Sequence, residues 1–316
     1  MNNNMDYVEV VQNNMRFKVF IYDGSAMVLG FDLWYDEEKR KKIAIPKTVE
    51  YNGVKYPVTV IREGAFAFCE ATELYIPDSI RSIEKDAFRN CLKIKSVFIP
   101  QSVSVIKESA FTECFDLETV NISDSVKDIQ KNAFSYCSSL KKVIMSKNLF
   151  YLGAEAFAYC ESLESITLPK TLEALGSGVF LRCIALQEVH LPAELKEISS
   201  SMFWGCTSLK FFETPVCVET IGMEAFAGCS SLEYFACSIS VKRIAMQAFK
   251  DCTNLFIIHL SSNIESVEDE AFYNCPSVKQ IFFTKSLVKR FDADEIFTQF
   301  FNAGLKTRQI LLRQSD

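Results

Sequence analysis

Hydrophobic residues recur along most of the chain with a period of 23 residues. In each unit an aliphatic residue precedes a Phe by five positions, and Cys follows the Phe after two intervening residues. A further aliphatic residue and then an alternating apolar pair complete the unit, often just before a Pro. A fixed period of this length is typical of proteins that stack one supersecondary unit many times. The pattern therefore predicts a solenoid of about ten turns.

The ten copies occupy residues 58–283, and every step between them is 23 residues except the first, which is 22. The alternating pair predicts a short strand whose inward side chains are buried by neighbouring units. The segment around the Phe predicts a short helical or irregular turn, with each Phe stacked on the next. The Phe residues of the ten copies are Phe66, Phe88, Phe111, Phe134, Phe157, Phe180, Phe203, Phe226, Phe249 and Phe272.

Both ends of the chain depart from the repeat and are expected to cap the stack, because an uncapped stack exposes apolar surface. Residues 1–57 alternate like strands around Asp23-Gly24, which predicts a β-rich N-terminal cap. Residues 284–316 are predicted to form a helical C-terminal cap, because apolar residues between positions 294 and 305 recur at helical spacing.

The unit I-x-x-x-A-F-x-x-C-x-x-L-x-x-I-x-I-P closely resembles the repeat of the BspA-like leucine-rich-repeat family. The resemblance implies a leucine-rich-repeat solenoid, an α/β-type superhelix with a parallel β-sheet on one face and short helical or irregular turns on the other. It also implies a function, since family members are typically surface or secreted proteins linked to adhesion and host attachment. We therefore expect a non-catalytic module that recognises a protein or other macromolecule. An intracellular scaffold or a self-associating structural protein is the alternative.

Charge and hydropathy restrict the partners of the chain. It carries 34 Lys and Arg against 40 Asp and Glu, a net charge of −6, and it has no long basic run, so nucleic acid is not expected as a partner. No stretch of about 18 apolar residues is present, so no membrane insertion is expected. The first residues lack a signal-peptide pattern, which leaves a cytoplasmic location open beside the surface location implied by the family.

Catalytic and metal-binding motifs are missing from the sequence. It has no phosphate-binding loop, dinucleotide glycine pattern, H-E-x-x-H or G-x-S-x-G. The two histidines, His190 and His259, are three repeats apart, which is about 14–15 Å along a parallel sheet and too far to share a metal ion. We expect no enzyme activity, no cofactor and no metal.

Ten of the twelve cysteines occupy one position of the repeat. Neighbours one turn apart would have Cα atoms about 5 Å apart, a distance that permits a disulfide. Equivalent side chains in a stack point in parallel, however, so we favour a structural ladder of buried thiols that face loop carbonyls. Cys69 and Cys275 are the first and last of the ten, and the eight cysteines assigned to the ladder lie between them: Cys91, Cys114, Cys137, Cys160, Cys183, Cys206, Cys229 and Cys252.

The outward side of the parallel sheet is the candidate binding surface. Phe211, Tyr234 and Ile257 form an apolar stripe on three successive repeats, and Phe282 extends it. Exposed apolar and aromatic residues mark interaction sites more often than other surface residues. We expect the C-terminal half of this face to bind a protein or peptide, with self-association as an equal alternative. The candidate partner-binding residues are Phe211, Tyr234, Ile257, Phe282, His190 and His259.

Overall fold

The computed structural model describes residues 7–32, 41–284 and 311–315. The chain divides into two compact units, Met1–Cys160 (unit 1) and Glu161–Asp316 (unit 2), and each unit holds five copies of the repeat. The described residues form strands and turns, with no α-helix among them. Residues 294–305, for which the sequence predicts a helix, lie outside the described residues.

The N-terminal segment of unit 1 is an antiparallel arrangement that continues into the first repeat. Strands β1, β2 and β3 pair in that order, and β3 then pairs in parallel with β6. Asn13 and Asn14 form the two-residue turn between β1 and β2 with positive φ angles of 50° and 62°, which asparagine tolerates and a tight hairpin requires. The strands are β1 (Tyr7–Gln12), β2 (Met15–Phe20), β3 (Ser25–Phe31), β4 (Lys42–Ala44), β5 (Thr48–Tyr51) and β6 (Val54–Ile61).

Each repeat contributes two strands rather than one. A short strand of two residues ends at the aliphatic residue that precedes the Phe by five positions, and a longer strand follows the Cys. In unit 1 the short strands are β8 (Ser82–Ile83), β10 (Val105–Ile106), β12 (Asp128–Ile129) and β14 (Tyr151–Leu152). The long strands of unit 1 are β7 (Glu73–Tyr75), β9 (Ser96–Ile99), β11 (Thr119–Ile122) and β13 (Lys142–Ile144).

Unit 2 repeats the same plan. Its short strands are β16 (Ala174–Leu175), β18 (Glu197–Ile198), β20 (Thr220–Ile221), β22 (Arg243–Ile244) and β24 (Ser266–Val267). Its long strands are β15 (Ser165–Thr167), β17 (Glu188–His190), β19 (Phe211–Glu213), β21 (Tyr234–Ala236), β23 (Ile257–His259) and β25 (Gln280–Thr284), followed by β26 (Leu311–Ser315), which pairs in parallel with β25.

The two kinds of strand form separate parallel ladders in each unit, so a second kind of sheet accompanies the one expected from the sequence. The two-residue strands pair with one another, as β8, β10, β12 and β14 in unit 1, where β6 precedes β8, and as β18, β20, β22 and β24 in unit 2. Long strands pair as β9, β11 and β13 in unit 1, and as β19, β21, β23 and β25 in unit 2. The register follows the 23-residue period, as in Val120↔Val143 and Phe212↔Phe235. Both units thus have the leucine-rich-repeat architecture that the sequence predicts.

The segments around each Phe form turns, so the irregular conformation is found and the helical one is not among the described residues. Between successive repeats of a unit, the backbone N–H of the Phe donates to the carbonyl of the residue before the next Phe, at 2.7–3.0 Å. These bonds join successive turns just as strand pairing joins the ladders, and they satisfy backbone groups that would otherwise be buried without partners.

The core of each unit is a column of stacked Phe rings. Each ring in the column is at most 2% exposed. Successive ring centroids are 5.0–5.5 Å apart in unit 1 and 5.1–5.8 Å apart in unit 2, with nearly parallel planes. The predicted Phe stacking is therefore confirmed within each unit, and it buries the apolar side that one repeat cannot bury alone.

Candidate partner-binding face

The long strands of unit 2 present two columns of outward side chains. In β19, β21 and β23 the central residue is buried and its two neighbours are exposed or half-buried, because successive side chains of a strand point to opposite faces. The register places residues of equal repeat position side by side. The first column is Phe211, Tyr234, Ile257 and Gln280, and the second is Glu213, Ala236, His259 and Phe282.

Aromatic contacts join the two columns. His259 stacks on Phe282, with ring centroids 4.4 Å apart and planes within 8°. The ring of Tyr234 in the first column lies 5.4 Å from that of His259 in the second. Phe282 lies in the second column, whereas Phe211, Tyr234 and Ile257 lie in the first. It therefore contacts the predicted stripe through His259. We call Phe211, Tyr234, Ile257, His259 and Phe282 the sheet-face patch.

The exposed end of the sheet-face patch is Phe211, whose side chain is 63% exposed. An open cleft of about 450 Å³ lies against Phe211, Phe212, Glu213 and Tyr234. Phe212 is buried beneath this surface and contacts the core column, with its ring 4.8 Å from that of Phe226. The cleft therefore has an aromatic wall that is fixed from below by the Phe core.

Burial changes the protonation of two groups of the sheet-face patch. It lowers the pKa of His259 from its ordinary value of 6.5, an effect that the charge of Glu213 partly offsets. Burial also raises the pKa of Tyr234, and the same carboxylate adds to the shift. Neutral forms of both rings are thus favoured, which suits an apolar surface. Sequence reasoning did not include Glu213 among the candidate residues, although the alternation that turns Phe211 outward does the same for Glu213.

His190 lies on a different sheet of unit 2, in the pair formed by β15 and β17. Its Nε2 atom is 3.0 Å from a carboxylate oxygen of Glu188 on the same strand, and its side chain is 60% exposed. The structure thus brings His259 into the sheet-face patch and gives His190 a separate, polar neighbour.

The long strands of unit 1 also expose apolar side chains, but among polar neighbours. Phe98 is 56% exposed and Ile144 is 47% exposed. The strand between them presents Thr119 and Asn121 outward. These residues provide a matched comparison for the sheet-face patch.

Nine of the ten thiols of the repeat are buried, and the first, Cys69, is partly buried. In unit 1 the Sγ atom of Cys114 donates to the carbonyl of Phe88 at 3.2 Å, and in unit 2 that of Cys229 donates to the carbonyl of Phe203 at 3.1 Å. Burial raises the pKa of Cys114 and of Cys229 to about 12. All twelve cysteines are thiols and not disulfides.

The described residues meet the requirements of neither a metal site nor a membrane-spanning helix. Residues 7–32, 41–284 and 311–315 contain no cluster of three or more His, Cys, Asp or Glu side chains that could hold a metal ion. Within the same residues no helix has the length and apolar character needed to cross a membrane.

Several solved structures are similar to this chain. A leucine-rich repeat protein from Bacteroides ovatus is 22% identical with a TM-score of 0.52, and the match covers 96% of this chain and 100% of that one. A leucine rich cell surface protein from Faecalibacterium prausnitzii is 21% identical with a TM-score of 0.53, covering 98% and 95%. The T. pallidum leucine rich repeat protein is 23% identical with a TM-score of 0.51, covering 71% and 91%. At these identities the likeness establishes the fold alone.

No curated protein matches the sequence. The BspA type leucine rich repeat region, in six copies, matches residues 59–187 and 173–299. These ranges include every Phe and every Cys of the two columns described above. The chain therefore belongs to the family of BspA-type leucine-rich-repeat proteins.

Proposed function

We propose that the chain is a non-catalytic protein-binding module and that the sheet-face patch is its ligand-binding surface. The observation that carries the proposal is the exposure of Phe211 beside a cleft lined by Tyr234 and Glu213. Exposed aromatic residues on an otherwise regular surface are typical anchors of protein interfaces.

The rigidity of the ladder favours binding by this surface. Parallel pairing holds Phe211, Tyr234 and Ile257 in register. The residues that follow them in their strands, Phe212, Phe235 and Ile258, are buried in the core. Little backbone freedom is lost when a partner binds to strands that are already paired, so more of the contact energy contributes to affinity. The cleft accommodates an apolar side chain of the partner, and Glu213 at its border favours a neighbouring Lys or Arg.

We propose an adhesion-type role at the cell surface or outside the cell. The support is the family and the similar protein from Faecalibacterium prausnitzii, which is described as a cell surface protein. An intracellular scaffold that uses the same patch is the alternative. Antibody labelling of intact cells separates the two, because only a displayed chain is labelled without permeabilisation.

The binding test compares two double variants of the full chain. Phe211→Ser with Tyr234→Ser removes the aromatic wall, while Phe98→Ser with Ile144→Ser removes side chains of similar exposure from the sheet of unit 1. Each is immobilised and offered host matrix proteins and, separately, a cell lysate. We expect the first variant to lose at least tenfold in affinity for the captured protein and the second to bind like the wild type.

Two measurements complete the test. Thermal unfolding should show that both variants remain folded, because the replaced side chains are exposed or half-buried. Sedimentation equilibrium distinguishes partner binding from self-association: a wild-type dimer that the Phe211 and Tyr234 changes dissociate would assign the patch to self-association. If the wild type and the variant with Phe211→Ser and Tyr234→Ser captured equal amounts of the partner, the proposal would be contradicted.

A further inference from the structure

Cys69 and Cys91 form a close pair at the start of the cysteine column. Their Sγ atoms are 2.6 Å apart, nearer than non-bonded sulfur atoms normally pack. Cys91 is fully buried, whereas Cys69 is only partly buried. The pair therefore joins a partly exposed cysteine to a buried one that lies in contact with it.

The position of Cys69 in the repeat explains this contact. Later thiols of the column donate to the carbonyl of the Phe one repeat earlier, as Cys114 does to Phe88. Cys69 belongs to the first copy, which no earlier repeat precedes. The step to the second copy is also one residue shorter than all the others. The Cys69 thiol instead contacts Cys91, whose own Sγ lies 3.1 Å from the carbonyl oxygen of Phe66.

We propose that Cys69 and Cys91 are a disulfide-forming pair that is oxidised by exchange with a low-molecular-weight disulfide such as glutathione disulfide. The Cys69 thiolate attacks one sulfur of glutathione disulfide, forms a mixed disulfide and releases one glutathione thiolate. Cys91 then loses its proton and attacks Cys69 Sγ, and the second glutathione thiolate leaves. The protein loses two protons and two electrons, and one glutathione disulfide becomes two glutathione molecules.

The order of the two steps follows from the environments of the sulfurs. The hydrogen bond with Cys91 lowers the pKa of Cys69, and burial raises the pKa of Cys91. Since the thiolate is the attacking form, the partly exposed Cys69 reacts first and the buried Cys91 closes the bond. The disulfide would join the first and second repeats covalently, at the end of the column next to the N-terminal strands.

The test uses the reduced full chain under native conditions. It is incubated with glutathione disulfide, blocked with N-ethylmaleimide in denaturant and digested with trypsin. We expect Cys69 and Cys91 to be absent from the blocked thiols, and residues 63–81 and 90–93 to appear as one disulfide-linked peptide pair. Dithiothreitol should restore all twelve thiols.

Two variants make the result specific. Cys69→Ser should keep its eleven thiols and form no linked pair, while Cys217→Ser, at a partly buried position outside the column, should still lose two thiols. A wild-type chain that keeps twelve thiols would overturn the proposal. The same conclusion would follow if Cys69 carried glutathione without closing to Cys91, or if a different pair of cysteines became linked.

Discussion

At the scale of single residues, the Phe and the Cys of the repeat stabilise the interior in different ways. The Phe ring fills the core and contacts the rings before and after it, as Phe134 does with Phe111 and Phe157 at 5.3 and 5.4 Å. The Cys thiol of a following repeat donates to the carbonyl of such a Phe, as Cys160 does to Phe134 at 3.3 Å. A buried carbonyl that strand pairing does not reach thus receives a donor, which avoids the cost of an unsatisfied polar group.

His259 makes the stability of unit 2 depend on pH in a defined direction. Burial lowers its pKa in the folded state, so the unfolded chain takes up the proton first as the pH falls through 6.5. Stability is therefore lost between pH 6.5 and the lower folded pKa, and it is unchanged above that window. The loss is less than about 1 kcal/mol, because the ring is partly exposed.

Urea unfolding between pH 7.5 and 5 checks this expectation. The wild type should lose stability relative to His259→Gln over the acidic part of the range, since glutamine does not titrate. Parallel pH profiles for the two proteins would show that the ring is not held neutral by the sheet-face patch.

At the scale of elements, the turn around each Phe depends on two left-handed backbone positions. They lie two residues before and two residues after the Phe, as at Glu155 and Tyr159, with φ angles of 56° and 59°. Glycine occupies equivalent positions in some repeats, for example Gly205 and Gly228. Non-glycine residues pay a steric cost in this region, and packing of the Phe column offsets it.

Replacement of Glu155 by glycine should stabilise the turn. Glycine adopts a positive φ without the Cβ clash, so Glu155→Gly is expected to be about 1 kcal/mol more stable than Glu155→Ala. The alanine variant is the matched control because it removes the carboxylate but keeps the Cβ atom. Chemical denaturation of both variants measures the difference, and an alanine variant as stable as the glycine variant would contradict the argument.

The sequence could predict some elements and not others for physical reasons. Apolar periodicity revealed the Phe column and the long strands, since burial selects for apolar residues at fixed positions. The short strands were missed because they hold two residues and begin with varied ones, such as Ser82, Asp128 and Glu197. The left-handed positions were missed because backbone hydrogen bonds stabilise them, so Glu, Asn, Ser or Gln are found there. Strand alternation indicated the outward residues, but the contact of Tyr234 with His259 depends on cross-strand register.

At the scale of the whole molecule, stacking makes the exposure of a buried residue depend on the opening of a whole unit. Within unit 1 the short strands, the long strands and the turns each join neighbouring repeats by backbone hydrogen bonds. The Phe and Cys columns lie between these connections and are almost fully buried. A buried thiol in the column is therefore exposed only when several connections break together.

Thiol labelling of the reduced native chain should report this opening. The thiolate is the reactive form, and a pKa of about 12 in place of 9 leaves about a thousandfold less of it at Cys114 and Cys229. Burial slows the reagent further, so a disulfide reagent at pH 8 should modify Cys217 and the partly buried Cys69 quickly, and the buried column thiols only as a unit opens. Increasing urea should accelerate the slow reaction in proportion to the open population, and all twelve thiols should react at once in full denaturant. Cys217→Ser combined with Cys69→Ser should remove the fast reaction and leave the slow one. Buried column thiols that react as fast as Cys217 in the absence of urea would mean that the repeats open one at a time, and the stack would then not act as a cooperative core.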